Sequence, residues 1–326
     1  MVAVCPLQFQ NYRIGPFRPR LLGTIDDDQL QLSDFVFCKT QANAGLMKNL
    51  IDWLSEQRIF QWDGLRLRKV GESSAISFSF SNYLPRGAQV LRYAASTYFD
   101  TSGSIDQATR AMKGDFKRNV RRQAKRAQEL HPLHVESANS GERLSIAFEE
   151  FLHVEASGWK GAIGSGSAIL CQAPLLAFYQ NLVHHFAERN ECTVNLLRFG
   201  DEVVAGQFGI RIGRTLHLLK FGYKEAHARF APGNVLLLSV LEQACQDPDT
   251  DVVNLVNDPP WSHRFKPLSM GVWSYFVANR SPRGLATLLG LLVKRKIDRW
   301  HSSDEDQAQR SSVLDANANM SAEACK

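Results

Sequence analysis

Thr193-Val-Asn-Leu-Leu-Arg-Phe-Gly-Asp-Glu-Val-Val-Ala-Gly-Gln-Phe-Gly-Ile-Arg-Ile-Gly-Arg-Thr-Leu-His-Leu-Leu-Lys-Phe221 is the stretch whose reading decides the fold. Three strand-like runs, Thr193–Phe199, Val203–Ile212 and Thr215–Phe221, are separated by Gly200-Asp201 and Gly213-Arg214. Short glycine-bearing turns between such runs predict consecutive hairpins, hence an antiparallel meander. Just downstream, Arg229-Phe-Ala-Pro-Gly-Asn234 opens a helix at about Val235–Gln246. A strand follows at Asp251–Val256, then Asn257-Asp258-Pro259-Pro260, and a last strand falls near Val272–Val277.

Working upstream, Leu133–Glu136 reads as a strand and Gly141–Ser157 as a helix carrying Phe148, Phe151 and Leu152. The glycine-rich stretch Gly158–Gly166 breaks the pattern before a second helix, Pro174–Arg189. One long helix is expected from an N-cap at Ser104 to His131-Pro132, because Ile105, Ala108, Met112, Phe116, Val120, Ala124 and Ala127 recur every three or four residues. The rest of that helix is basic: Arg110, Lys113, Lys117, Arg118, Arg121, Arg122, Lys125 and Arg126. The first hundred residues read as mixed α/β, with strands at Arg20–Gly23, Asp34–Cys38, Leu65–Val70 and Gln89–Tyr98 and a helix over Ala44–Gln57.

The expected organisation is α/β of the α+β type with mixed, mostly antiparallel sheets. Its parts are an N-terminal domain over 1–103, a basic connecting helix over 104–131, a second domain over 132–282, an amphipathic helix over 283–300 and a disordered tail over 301–326. In the amphipathic helix Leu285, Leu288, Leu289, Leu292, Val293, Ile297 and Trp300 share one face, with Lys294, Arg295, Lys296 and Arg299 at the C-terminal end. Two placements fit it: docking on the domain, with the cations on the negative helix end, or lying in the surface of an anionic membrane.

Composition narrows the classes. A chain of 326 residues that is 44% hydrophobic and 22% charged is globular, not disordered or fibrous. Its longest strongly apolar run, Leu285–Val293, is far shorter than a bilayer span. The opening Met-Val-Ala-Val-Cys-Pro-Leu has no basic start and no long apolar core, so a cytoplasmic protein is expected, with peripheral attachment at the inner membrane face as the variant. Six cysteines without C-x-x-C spacing predict free thiols and no zinc site. Neither H-E-x-x-H, G-x-S-x-G nor a complete phosphate-binding glycine loop of the Walker type occurs, which disfavours metal-assisted and covalent catalysis. The net charge of +5 is mild, and the basic helix lacks interleaved aromatics, which weighs against nucleic acid as partner.

A series of short segments occurs in a telling order: Phe116-Lys-Arg-Asn-Val-Arg-Arg122, Glu155-Ala-Ser-Gly-Trp-Lys-Gly161, Gly200-Asp-Glu-Val-Val-Ala-Gly206, Tyr223, Pro232-Gly233, Asp258 and Lys266. With the order meander, turn, helix, strand, this resembles the CelD-type branch of the GNAT acetyltransferases, which are similar to the Fem aminoacyltransferases. The resemblance spans roughly residues 1–280. It implies tandem GNAT-like domains, with either an incomplete first domain or a misassigned start, since Val2–Leu7 resembles a strand that lies deeper in that domain. It also implies transfer of an acyl group, acetyl in the first instance, from acyl-CoA to an amine or hydroxyl of a small-molecule or saccharide acceptor, in polysaccharide or cell-envelope synthesis and without a metal. The phosphate loop departs from the GNAT pattern: Arg229-x-x-Pro-Gly233-Asn has the arginine and one glycine, but shifted.

Each candidate has two readings. Arg229, Pro232, Gly233 and Asn234 would present a helix N-terminus to a pyrophosphate, or simply form a Pro-Gly turn. Glu155 would take a proton from the acceptor, with Trp159 and Lys160 lining its pocket, or be a helix-terminal carboxylate beside a packed tryptophan. Asp258, after a buried strand, is the alternative base or a turn residue. Tyr223 would protonate the departing thiolate or pack against the strand, and Lys266 would bind substrate or be a surface lysine. Two other functions remain open: aminoacyl-tRNA-dependent transfer, as in the Fem enzymes, and non-catalytic binding of an anionic partner by the basic helix.

Overall fold

The turns that decide the meander form as the sequence requires: Gly200 and Gly213 reverse the chain at φ of 60° and 59°, a conformation that costs a residue without Cβ nothing. A computed structural model describes residues 3–25, 27, 29–37, 45–57 and 61–295. In chain order its elements are β1 (Ala3–Val4), β2 (Leu7–Asn11), β3 (Arg20–Thr24), β4 (Val36–Phe37), α1 (Leu46–Glu56), β5 (Gly64–Gly71), α2 (Ala75–Asn82) and β6 (Gln89–Asp100). There follow α3 (Ile105–Ala108), α4 (Gly114–Leu130), β7 (Leu133–Ala138), α5 (Gly141–Glu155), α6 (Ala173–Ala187), β8 (Cys192–Phe199), β9 (Glu202–Ile212) and β10 (Thr215–Tyr223). Last come α7 (Pro232–Ala244), β11 (Val252–Asn254), β12 (Leu268–Ala278) and a helix over 282–295, here α8. The chain is thus mixed α/β, with parallel and antiparallel pairings in both of its compact units, Met1–Tyr93 with Val272–Lys326, and Ala94–Gly271. Residues Val272–Ala278 of the last strand, expected within the domain over 132–282, group with the first unit, where they pair antiparallel with β5.

In the first unit β2 and β3 pair antiparallel, and β3 runs parallel to β5. Met47, Ile51 and Leu54 of α1 meet Leu65, Leu67, Ile76, Phe80 and Tyr275 in one apolar core. α2 has no counterpart among the elements expected from sequence. Its Ala-Ile-Ser-Phe-Ser-Phe-Ser-Asn alternates at period two, yet Ser74 caps it by accepting from Ser77 N–H at 3.0 Å, and packing decides for helix.

In the second unit β7, β8, β9 and β10 form the meander, and β11 joins β10 in parallel and β6 antiparallel. Two layers cover this sheet. On one face α5 and α6 pack Phe148, Phe151, Leu175 and Tyr179 against Val194, Leu196 and Phe208. On the other, α4 and α7 pack Val120, Ala127, Leu236, Leu237 and Leu241 against Leu197, Ala205 and Leu218. Each Leu, Val or Phe among them contributes about 1.5–3 kcal/mol when fully buried, which is why α7, apolar nearly all round, lies so deep.

The single helix expected from Ser104 to His131 is two. Ser104 and Gln107 make a reciprocal capping box, α3 ends at Thr109 whose hydroxyl donates to Ile105 O, and α4 restarts after an extended Lys113. The break lets Met112 turn into the core under α7. An ion-pair cluster ties the sheet edge to α5: Arg198 lies 3.2 Å from Glu136 and also pairs with Glu150, and Arg143 chelates Glu136. The hydrogen bond from Arg143 holds Glu136 below its ordinary pKa, with burial opposing and Arg198 adding.

Candidate active site

The site grows from a mismatch in strand pairing. β10 is bonded to β9 along its whole length, but to β11 only over Thr215–His217, opposite Val252–Asn254. Beyond His217 and Asn254 the two parallel strands separate, while β10 continues through a bulge between Leu218 and Lys220 to Tyr223. The splay leaves a cleft beside β10, with backbone groups of residues 218–223 on its wall.

Below β10, on the α5 face, lies a charged cluster. Glu155 ends α5 and is 2% exposed. Its Oε2 accepts the Ile169 N–H at 2.9 Å, and its Oε1 stands 3.3 Å from Lys160 Nζ as an ion pair outside hydrogen-bond geometry. Lys160 Nζ instead donates to the Phe221 carbonyl on β10 at 2.8 Å. Lys220 joins from the strand: burial lowers its pKa, the Lys160 cation lowers it further, and Glu155 acts in the opposite sense. Gly222 makes the arrangement possible, since a Cβ there would fall 2.6 Å from Glu155 Cα and drive α5 off the strand.

Above β10, on the α7 face, the helix N-terminus meets Tyr223. A Cβ on Gly233 would lie 3.8 Å from the Tyr223 ring. Pro232 is buried in the first turn, Asn234 and Val235 N–H both return to Ala231 O, and Ala231 enters the helix at a φ of 47°. Arg229 is exposed and stacks on Phe230, its guanidinium 4.6 Å from the ring centroid.

The far wall is the segment after β11. Asn254 Oδ1 accepts from Ser96 Oγ at 3.0 Å and from Val256 N–H at 2.6 Å, and Val256 has a φ of 66°. A β-branched residue held there is strained, and such strain clusters at binding and catalytic sites. Asp258 Oδ1 lies 2.8 Å from His263 Nε2, both partly exposed. Trp261, in the same 3-10 turn (Pro260–Phe265), packs edge-on to Phe221 with centroids 5.1 Å apart, which joins this wall to β10.

The sequence candidates therefore fall into three neighbouring groups: Glu155 with Lys160, Tyr223 with Gly233, and Asp258 beyond the splay. Trp159 is 65% exposed and lies 5.9 Å from Lys160 Nζ. Arg229 and Lys266 are surface side chains, Lys266 closing its turn at a φ of 52°. Lys220, Trp261 and His263 are not among the residues singled out by sequence. A lysine inside the apolar run Leu216–Tyr223 is the available signal for the first, and a histidine five residues after Asp258 for the last. Among the described residues no three His, Cys, Asp or Glu side chains converge as a metal site.

Comparison with known proteins bears on this cleft directly. Residues 114–266 match the family model of the acetyltransferase (GNAT) domain. The GNAT match thus runs from the first turn of α4 through Lys266 and takes in every residue just described except Ser96. No curated protein matches the chain in sequence. Among solved structures the chain is similar to FemX (9% identity, TM-score 0.58, covering 89% of this chain and 87% of that one). It is also similar to L-PGS from Bacillus licheniformis (11%, 0.51, 88% and 85%) and to a conserved protein of unknown function from Bacteroides thetaiotaomicron VPI-5482 (14%, 0.51, 82% and 80%). At such identities the likeness is one of fold.

Proposed function

We propose that the chain is an acyltransferase that moves an acyl group, acetyl in the simplest case, from acyl-CoA to an amine or hydroxyl on a small-molecule or saccharide acceptor, acting in the cytoplasm. The observation that carries this reading is the splay of β10 from β11 with the α7 N-terminus beside it, inside the GNAT-matched segment. A strand edge freed on one side suits the extended, amide-bearing arm of an acyl-CoA, and a helix start suits its pyrophosphate.

In the proposed reaction the acceptor nitrogen or oxygen attacks the thioester carbonyl and the C–S bond breaks. Asp258 orients His263, which takes the acceptor's proton. A backbone N–H on the freed edge of β10 stabilises the oxyanion, and Tyr223, 44% exposed at the strand end, protonates the departing thiolate. Glu155 is buried and engaged on both oxygens, so its part is positioning: it anchors Lys160, which holds the Phe221 carbonyl. A second reading, transfer from aminoacyl-tRNA, is favoured by the exposed cations Lys113, Arg118, Arg121, Arg122, Lys125 and Arg126 along α4. It predicts donor use that ribonuclease abolishes.

Calorimetric titration with acetyl-CoA tests the first reading. The Gly233 Cβ position meets only Tyr223, at an ordinary van der Waals distance, so Gly233→Glu folds normally while placing bulk and negative charge at the helix start. Loss of binding is expected. Undiminished affinity in the folded variant overturns the assignment.

A further inference from the structure

An amphipathic helix at the edge of a domain ordinarily turns its large apolar side chains inward. α8 does so only in part, with Leu288 and Leu291 half-buried. Its closest approach to the rest of the first unit is at small residues: a Cβ on Gly284 would come within 2.9 Å of Asp63 O, and one on Gly290 within 2.9 Å of Ile14 Cγ2. Thr287 is fully buried between them and bonds Arg283 O at 2.8 Å. Arg283 pairs with Asp63 at 3.2 Å, and Lys294 Nζ stands 5.1 Å over the Tyr12 ring. The opposite face carries Leu285, Leu289, Leu292 and Val293 in solvent, exposed by 54%, 63%, 39% and 59%. At spacings of four, seven and eight residues they form a single stripe along the helix.

We infer that this stripe is a docking surface for an anionic lipid membrane, on which α8 lies in the plane of the headgroups. The charge distribution selects that occupant. Between residues 280 and 300, beside Arg283 paired with Asp63 and Lys294 over Tyr12, the sequence has Arg280, Arg295, Lys296 and Arg299 against one acid, Asp298. Apolar residues flanked by cations bind anionic lipid through both terms at once. A two-fold pairing of this helix with a second copy would set like charges against each other. Among the described residues no helix is long and apolar enough to cross a membrane, so the attachment is to one surface.

The full chain is sedimented with vesicles of phosphatidylcholine alone and of phosphatidylcholine with phosphatidylglycerol, at low and high salt. Binding is expected with the anionic vesicles at low salt, weakened by salt and by removal of the charged lipid. The double variant Leu289→Glu, Val293→Glu should bind at least about tenfold more weakly, since it removes the apolar contact and adds repulsion. Its melting should be unchanged because both side chains are exposed, and Leu285→Gln, Leu289→Gln serves if that variant folds poorly. Failure of the parent chain to sediment, or equal sedimentation of the variants, overturns the inference. So does a parent dimer that the substitutions convert to monomer without changing vesicle binding. None of these outcomes depends on acyl-CoA binding.

Discussion

Replacing Glu155 by Gln separates a base from a positioning residue. Glutamine keeps an amide oxygen for the Ile169 N–H, so that bond survives as a neutral one. What is lost is the charge on that bond and the ion pair to Lys160 at 3.3 Å. Breaking a buried pair costs about 3–5 kcal/mol in full, but Lys160 is 23% exposed and retains the Phe221 carbonyl, so about 2–4 kcal/mol is expected. In a unit of this size that lowers the melting midpoint by about 4–16 °C. The same change removes the charge that opposes the depression of the Lys220 pKa, so Lys220 should lose its proton at lower pH than in the parent. Thermal unfolding reads the first effect, and the pH dependence of acetic-anhydride labelling at Lys220 reads the second. An unchanged midpoint with a collapsed turnover would refute the positioning role and return Glu155 to the chemistry. An unmoved labelling profile would refute the electrostatic coupling beneath β10.

Asp258→Asn and His263→Ala should each lower turnover by about 10²–10⁴, the usual cost of losing a general base or its partner, and the double variant should be little worse than either; additive losses in the acyl-transfer assay would show that they do not act together. Glu136 has its pKa depressed in the folded chain, so its contribution is present above the unfolded value near 4.5 and is lost as pH falls through the folded one. Urea midpoints should accordingly drop across and below the ordinary carboxylate range, and Arg143→Met should flatten that slope. Burial pushes the Cys192 thiol up to about 12, whereas Cys171 is exposed, so iodoacetamide at neutral pH should label Cys171 in the folded chain and Cys192 only after unfolding, as peptide mass spectrometry can read.

Part of the candidate site is legible in the amino-acid order alone. Pro232-Gly233 after a third meander strand places a helix start beside a strand end, and the fold brings Gly233 against Tyr223. Glu155 reads as a reacting carboxylate because it stands near Trp159 and Lys160 in sequence. Whether it faces solvent or the underside of β10 depends on Gly222, sixty-seven residues away, which lets α5 approach the strand. His263 is not legible in the same way, because a 3-10 turn, not a regular helix, sets its reach back to Asp258.

What the amino-acid order determined by itself is what local physics determines. Strand-like runs and glycine turns produced the meander, three- and four-residue spacings produced α4 and α5, the Pro-Gly start marked α7, and composition bounded the class. Only the tertiary structure decided the outcomes that rest on competition between distant groups. The break between α3 and α4 follows from burying Met112. Ser-Phe alternation in α2 yields to helix because a cap and a core are available there. Leu285, Leu289, Leu292 and Val293 of α8 point to solvent because Gly284, Thr287 and Gly290 let the opposite face sit close to the rest of the first unit. A sequence pattern says that a helix has two faces; which of them the protein keeps is set by the shape of the surface it meets.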